Sequence, residues 1–296
     1  MVKTAWVFPG QGSQKLGMGN DLLDLPLAQA KLAQATEILG WSVMEVCQQE
    51  EDKLFRTLYT QPCLYVIESI LADLLGEHGQ KPDLVAGHSL GEYVALYVAG
   101  VFDWSTGLHL VKRRAEIMDS ATDGMMTALI NFDGEKLQTA IATTPDVVIA
   151  NDNSPQQVVI SGTPDAVQRI LSQVTAKRTL PLKVSGAFHS PLMAQAAAEF
   201  QQLLTPVKFH QATIPVLSNV DPQPETDPKI LKQRLTKQIT GSVRWREISL
   251  ELSANGVEQV MEVGPGNVLT GLIKRTVTTD LVLKNIQDNA AIFNFI

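Results

Sequence analysis

The stretch Asp83–Tyr97, "DLVAGHSLGEYVALY", leaves the chain few possible paths. Apolar strand formers run up to Gly87, helix formers take over at Gly91, and Ser89 stands midway between the two glycines. A strand that turns into a helix over so few residues forces unusual backbone angles on the middle residue, and the flanking positions have no room for side chains. A serine acting only as a helix N-cap is the plainer alternative, but it needs no glycine on both sides. The pattern predicts a nucleophile elbow, with the Ser89 hydroxyl exposed at the positive end of a helix dipole. The Leu90 N–H would then point to where an oxyanion develops. Acyl transfer is the chemistry that suits this geometry.

The surrounding rhythm sets the fold class. Strand-like runs at Thr4–Phe8, Asp83–Gly87, Ile214–Asn219 and Val257–Val263 alternate with helical patterns, which predicts an α/β fold with a largely parallel sheet and helices on both faces. Between 123 and 184 the order changes to strand "MTALINF", helix "GEKLQTAIATT", strands "DVVIAN" and "QVVISG", helix "TPDAVQRILSQVTAK" and strand "TLPLKV". This βαββαβ order predicts a small ferredoxin-like unit inserted in the larger one. The expected division is a large catalytic domain of residues 1–122 and 188–296 and a small domain of residues 123–187. A chain of 296 residues with 45% hydrophobic content can bury both cores. The Pro-rich "DPQPETDP", Asp221–Pro228, reads as a surface loop.

Composition excludes several function classes. The net charge of −7 argues against nucleic acid as a partner. No apolar run approaches the roughly 18 residues of a membrane span, and the opening "MVKTAWVFPG" is too short an apolar segment for a secretory signal, so a cytoplasmic protein with no membrane partner is expected. Cys47 and Cys63 form no CxxC pair and no Cys/His cluster, so no metal site is expected.

A serine nucleophile needs a base, and there are five histidines. His109 falls on the polar arc of the helix "STGLHLVKRRAEIMDS". His78 lies at a helix end, and His210 precedes a strand, at the wrong end of the sheet. His88 adjoins the serine, where side chains at a sharp turn diverge. His189 follows an expected strand "LKVSG" and precedes Ser190-Pro191, a good N-cap and N1 pair, which puts it on the same rim as Ser89. Arg114 is the other anomaly, since it falls inside the apolar arc of its helix. Periodicity alone leaves two accounts open: an internal carboxylate or a snorkelling stem, and a grip on a substrate carboxylate.

Taken together, "FPGQGSQ", "TQP", "GHSLGEY", the arginine of "KRRAEIM", "NDNSPQQVVISG", "GAFHSPLM", "SVRW" and "EVGPGNVL" resemble the malonyl-CoA:acyl carrier protein transacylase family over essentially the whole chain. The resemblance implies an α/β-hydrolase-like large domain and a malonyl-serine intermediate. It also implies malonyl-CoA as substrate, holo acyl carrier protein as partner, a monomer and no bound cofactor. It assigns Ser89 as nucleophile, His189 as base, the backbone N–H groups of Gln11 and Leu90 as oxyanion hole, and Arg114 as ligand of the malonyl carboxylate. The His189 ring would be oriented by the main-chain carbonyl of Gln238, and Phe188 would select for acyl size. Ser242 stands where the family often carries proline, which questions the rigidity of that loop. Since carrier proteins are typically acidic, a basic cluster drawn from Lys177, Arg178, Lys183, Lys274 and Arg275 is expected to steer docking.

Overall fold

The computed structural model describes residues 2–184 and 186–295. Strands β1 (Thr4–Phe8), β2 (Leu84–Gly87), β7 (Val216–Leu217), β8 (Gln259–Val263) and β9 (Val282–Ile286) form a five-stranded sheet in the order β7-β2-β1-β8-β9, with parallel pairing throughout. Successive side chains on a strand point to opposite faces. Trp6 and Phe8 of β1 therefore join the main core on one side, while Ala5 and Val7 join a second core with Trp245, Leu269 and Ile273 on the other. Burial on both faces is why the central strands read as unbroken apolar runs.

Two edges differ from the sequence expectation. The run expected at Ile214–Asn219 pairs only through Val216 and Leu217, because Pro215 has no N–H to give the ladder and serves only as an acceptor for Val85. Strand β9 was not expected: three of its five residues are exposed, so it shows no apolar pattern.

Strands β3 (Met125–Phe132), β4 (Val147–Ser154), β5 (Gln157–Gly162) and β6 (Ala176–Pro181) make a four-stranded antiparallel sheet in the order β4-β5-β3-β6. Helices Gly134–Thr143 and Pro164–Gln173 lie between them in the chain, which is the expected βαββαβ order. Their starts are set by caps: Asp133 accepts from Lys136 N–H, and Thr163 accepts from Ala166 N–H ahead of Pro164. Leu137, Ala140, Val167 and Ile170 pack on Leu129, Val158 and Ile160 to form a core of its own. The opposite face turns Met126, Ala128, Ala150 and Val159 into the main core. That packing brings β4 against the corner at Ser89.

Three boundaries need correction. The second helix ends at Gln173 rather than Lys177, because its apolar stripe is spent at Ile170 and Val174 is already extended (φ −109°, ψ 121°). The last strand is consequently Ala176–Pro181, three residues earlier than "TLPLKV". The loop "DPQPETDP" also ends sooner than expected: Asp227 caps the helix Pro228–Lys237, and Pro228 is its first residue. Among the described residues, no helix is long and apolar enough to cross a membrane.

Candidate active site

The corner after β2 is built by close approach. A Cβ on Gly87 would lie 1.9 Å from the carbonyl carbon of Gly91, and one on Gly91 would lie 2.0 Å from the Phe8 carbonyl oxygen. Strand β1, strand β2 and helix Gly91–Val98 can therefore meet only if both positions lack a side chain. Ser89 between them adopts φ 52°, a left-handed conformation that costs a non-glycine residue free energy. Asn219, just beyond β7, offsets this cost. Its Oδ1 accepts from Ser89 N–H at 2.7 Å, and its Nδ2 donates to the Gly87 carbonyl at 2.6 Å.

His189 meets the serine from across the cleft, with Nε2 2.8 Å from Ser89 Oγ. Its Nδ1 lies 2.9 Å from the Gln238 carbonyl and 3.1 Å from the Gly241 carbonyl. Carbonyls only accept, so Nδ1 carries the proton and Nε2 is left to accept from the hydroxyl. The imidazole is 4% exposed, and burial together with the nearby Arg114 guanidinium lowers its pKa from 6.5 to about 3. It is neutral at physiological pH.

The reason given above for the position of His189 does not hold. Ser185 of the expected "LKVSG" strand lies outside the described residues, and Leu182–Val184 and Gly186 are not in a strand. His189 sits on a turn, with φ 57°, fixed by its own N–H donating to the Ile239 carbonyl at 3.1 Å. Ser190 caps only a short 3₁₀ turn, Pro191–Met193, ahead of helix Ala194–Leu204.

The other histidines lie away from the serine hydroxyl. His78, His109 and His210 are exposed. The His88 ring turns toward the small sheet, where Nε2 lies 2.9 Å from Asn153 Oδ1, and it packs on Trp245.

Arg114 is 0% exposed and reaches the same hydroxyl, with Nη2 donating to Ser89 Oγ at 3.0 Å and to Gln238 Oε1 at 3.1 Å. Its Nη1 donates to Gln61 Oε1 at 2.7 Å, and the group lies over the Tyr93 ring. Among the described residues no carboxylate is in direct contact with it, so neither a direct ion pair nor a snorkelling stem accounts for it. A buried guanidinium held only by neutral groups can still take up a carboxylate.

A cavity of about 240 Å³ opens over these groups, lined by Gln11, Gln61, Ser89, Leu90, Arg114, Met118, Phe188 and His189 among others. The loop carrying Gln11 presses on the corner, since a Cβ on Gly10 would lie 2.4 Å from the His88 carbonyl oxygen. The Gln11 and Leu90 N–H groups have no acceptor among the described residues. The basic residues Lys177, Arg178, Lys183, Lys274 and Arg275 are all exposed, and Lys183 borders the cavity.

Several members of the site escaped sequence reading. Gly241 and the Gln238 side chain sit in a loop with no local signature. Gln61 could have been found in the way Arg114 was, as a polar residue inside the buried face of helix Thr57–Glu77.

Comparison with known proteins agrees with this geometry. Residues 5–292 match the family described as "Acyl transferase domain". The malonyl CoA-acyl carrier protein transacylase of Synechocystis sp. is 61% identical over 285 residues, 96% of this chain and 97% of that one. The crystal structure of the Synechocystis sp. malonyl-CoA:ACP transacylase superposes with a TM-score of 0.97 at 60% identity, covering 99% of both chains. A malonyl-transacylase solved in complex with its type II PKS acyl-carrier protein gives a TM-score of 0.92 at 38% identity, covering 99% of this chain and 98% of that one. The chain belongs to the acyl transferase domain family and, within it, to the malonyl CoA-acyl carrier protein transacylases.

Proposed function

We propose that this enzyme moves the malonyl group from malonyl-CoA to the phosphopantetheine thiol of holo acyl carrier protein, supplying fatty acid biosynthesis. The observation that carries the substrate class is Arg114, fully buried, paired only with neutral groups and 3.0 Å from Ser89 Oγ. A site for an uncharged acyl group has no use for a buried cation beside its nucleophile.

The steps follow from the hydrogen bonds. Ser89 Oγ attacks the thioester carbonyl while its proton passes to His189 Nε2. The oxyanion is held by the N–H groups of Gln11 and Leu90. The carbon–sulfur bond breaks, and the coenzyme A sulfur takes the proton back from His189. The malonyl ester then waits on Ser89 with its carboxylate on Arg114. The carrier's thiol gives its proton to His189 and attacks the ester, and Ser89 recovers a proton as it leaves, which gives ping-pong kinetics. The Gln238 carbonyl keeps the imidazole in the tautomer that both halves need.

Phe188 fits a role in acyl selection, because it lines the cavity beside the base and is only 5% exposed. The core that the small sheet shares with its own two helices supports division into domains of residues 1–122 with 188–296, and 123–187. The reading takes the enzyme as a cytoplasmic monomer. The similar malonyl-transacylase seen with its carrier protein supports the choice of partner.

The test is intact-mass analysis. Malonyl-CoA should add one malonyl group to the protein, and holo carrier protein should remove it onto its own thiol. Ser89→Ala should show no adduct. An adduct on that variant, or release of free malonate in place of transfer, would overturn the reading.

A further inference from the structure

A buried arginine without an ion pair raises the question of what balances its charge. The nearest answer in the bonding network is Glu92, on the first turn of helix Gly91–Val98 and 1% exposed. Its Oε2 accepts from Gln238 Nε2 at 2.7 Å and from Asn219 N–H at 3.2 Å. Gln238 Nε2 also donates to the Ser89 carbonyl at 2.9 Å, and its Oε1 accepts from Arg114. Two acceptors on one side and a guanidinium on the other admit a single orientation of that amide. Burial raises the Glu92 pKa, and the hydrogen bonds from Gln238 and Asn219, the Arg114 charge and the helix dipole act the other way. A proton would have to sit on Oε1, which has no hydrogen-bond partner among the described residues.

We propose that Glu92 is the remote counter-charge of Arg114 and acts as a positioning residue. It locks Gln238 so that one glutamine aims Arg114 through its side chain and His189 through its main chain. The spacer has a chemical purpose. A carboxylate in direct contact would occupy the face of the guanidinium that a substrate carboxylate needs, and no carboxylate at all would leave a buried charge uncompensated. One intervening amide keeps the balance and leaves the face free. Removing Glu92 should therefore harm carboxylate-bearing acyl groups more than plain ones, which a purely structural glutamate would not do.

The proposal rests on the malonyl-transfer reading, so the test has one arm independent of it. In the first arm, malonyl and acetyl loading of Ser89 are compared. Glu92→Ala should lower the malonyl-to-acetyl ratio about tenfold, the scale of one charge-assisted hydrogen bond. Gln238→Met, which keeps the main-chain carbonyl, should do the same, and adding Glu92→Ala to it should change little more. Glu92→Gln, which keeps an acceptor for Gln238, should stay within about threefold of the parent. An unchanged ratio in Gln238→Met, or fully additive effects in the double variant, would overturn the relay. In the second arm, urea unfolding of Glu92→Gln, Arg114→Met and the double variant reads charge balance without any substrate. Glu92→Gln should lower the midpoint in the parent and not in the Arg114→Met background. Equal lowering in both would overturn the proposal even if the protein loaded no malonyl group at all.

Discussion

The corner at Ser89 and the turn at His189 both hold a non-glycine residue in the left-handed region, at φ 52° and 57°, and they do so by different means. The corner is closed by steric exclusion: Gly87 packs against the backbone of Gly91, and Gly91 against the backbone of Phe8 at the end of β1, so neither position has space for a side chain. The turn at His189 is held by bonds to a loop some fifty residues downstream, through the carbonyls of Gln238, Ile239 and Gly241. Ser89 is thus fixed by backbone contacts that admit no methyl group, whereas His189 depends on hydrogen bonds that can lengthen. Damage to the first should be all-or-none, and damage to the second should be graded.

Paired glycine substitutions separate the two modes. Gly91→Ala puts a methyl group 2.0 Å from a backbone oxygen that cannot move without shifting β1, so a loss of roughly 3–5 kcal/mol in urea unfolding, or failure to fold, is expected. Gly241→Ala meets the Val220 side chain at 2.6 Å, which can rotate away, and the Lys237 carbonyl oxygen at 2.9 Å, which needs only a small shift of the turn. It should cost about 1–3 kcal/mol and leave a folded protein with slower Ser89 loading. Equal losses from both would erase the distinction drawn here.

Arg114→Ala acts on the chemistry rather than the fold. If Arg114 holds the malonyl carboxylate as proposed, malonyl loading should fall on the order of a hundredfold relative to acetyl loading, since acetyl has no carboxylate to lose contact with. An unchanged ratio would make Arg114 a structural residue.

The same variant sharpens the account of His189. Loading needs a neutral imidazole, so in the parent kcat/KM for loading should stay flat as pH falls through 6.5 and decline only toward the lowered pKa of about 3. Arg114 disfavours the imidazolium, so its removal should move the acid limb to higher pH. The move should be partial, because burial is the larger cause. The linkage runs the same way for stability: between the two pKa values the unfolded chain binds more protons, so this group makes the fold less stable as pH falls through that window. An acid limb that stays put or moves to lower pH in the variant would contradict the assignment.

How much was legible follows the same division. The corner, the βαββαβ insertion and the inward-facing Arg114 were readable because each is written in local periodicity or in glycine spacing. Strand β9 was not, since an exposed edge carries no apolar alternation. Strand β6, exposed at five of its six residues, was misplaced by three positions for the same reason. The sequence places His189 beside Ser89 on the strength of a strand end that the structure replaces with a turn held by tertiary bonds. Glu92 lies inside the "GHSLGEY" motif itself. Its contact with Gln238 is invisible there because the two are 146 residues apart.

The smallest expected effect concerns Ser242, where the family pattern often has proline. A proline at this position would be expected to stiffen the loop that orients the base. In this protein the loop is already tied on both sides of Ser242. Gly241 N–H donates to the Lys237 carbonyl at 2.9 Å, and Val243 is paired with β4, donating to the Ala150 carbonyl at 2.8 Å and accepting from Asp152 N–H at 2.9 Å. Little freedom remains for a ring to remove, so Ser242→Pro should change stability by less than about 1 kcal/mol and Ser89 loading by less than about threefold. A gain well above that in both would show that the loop moves in the parent, and that the anchorage of His189 is looser than its hydrogen bonds imply. The small sheet, through β4, would then be only a partial support for the base, and the contrast with the sterically closed corner would be wider still.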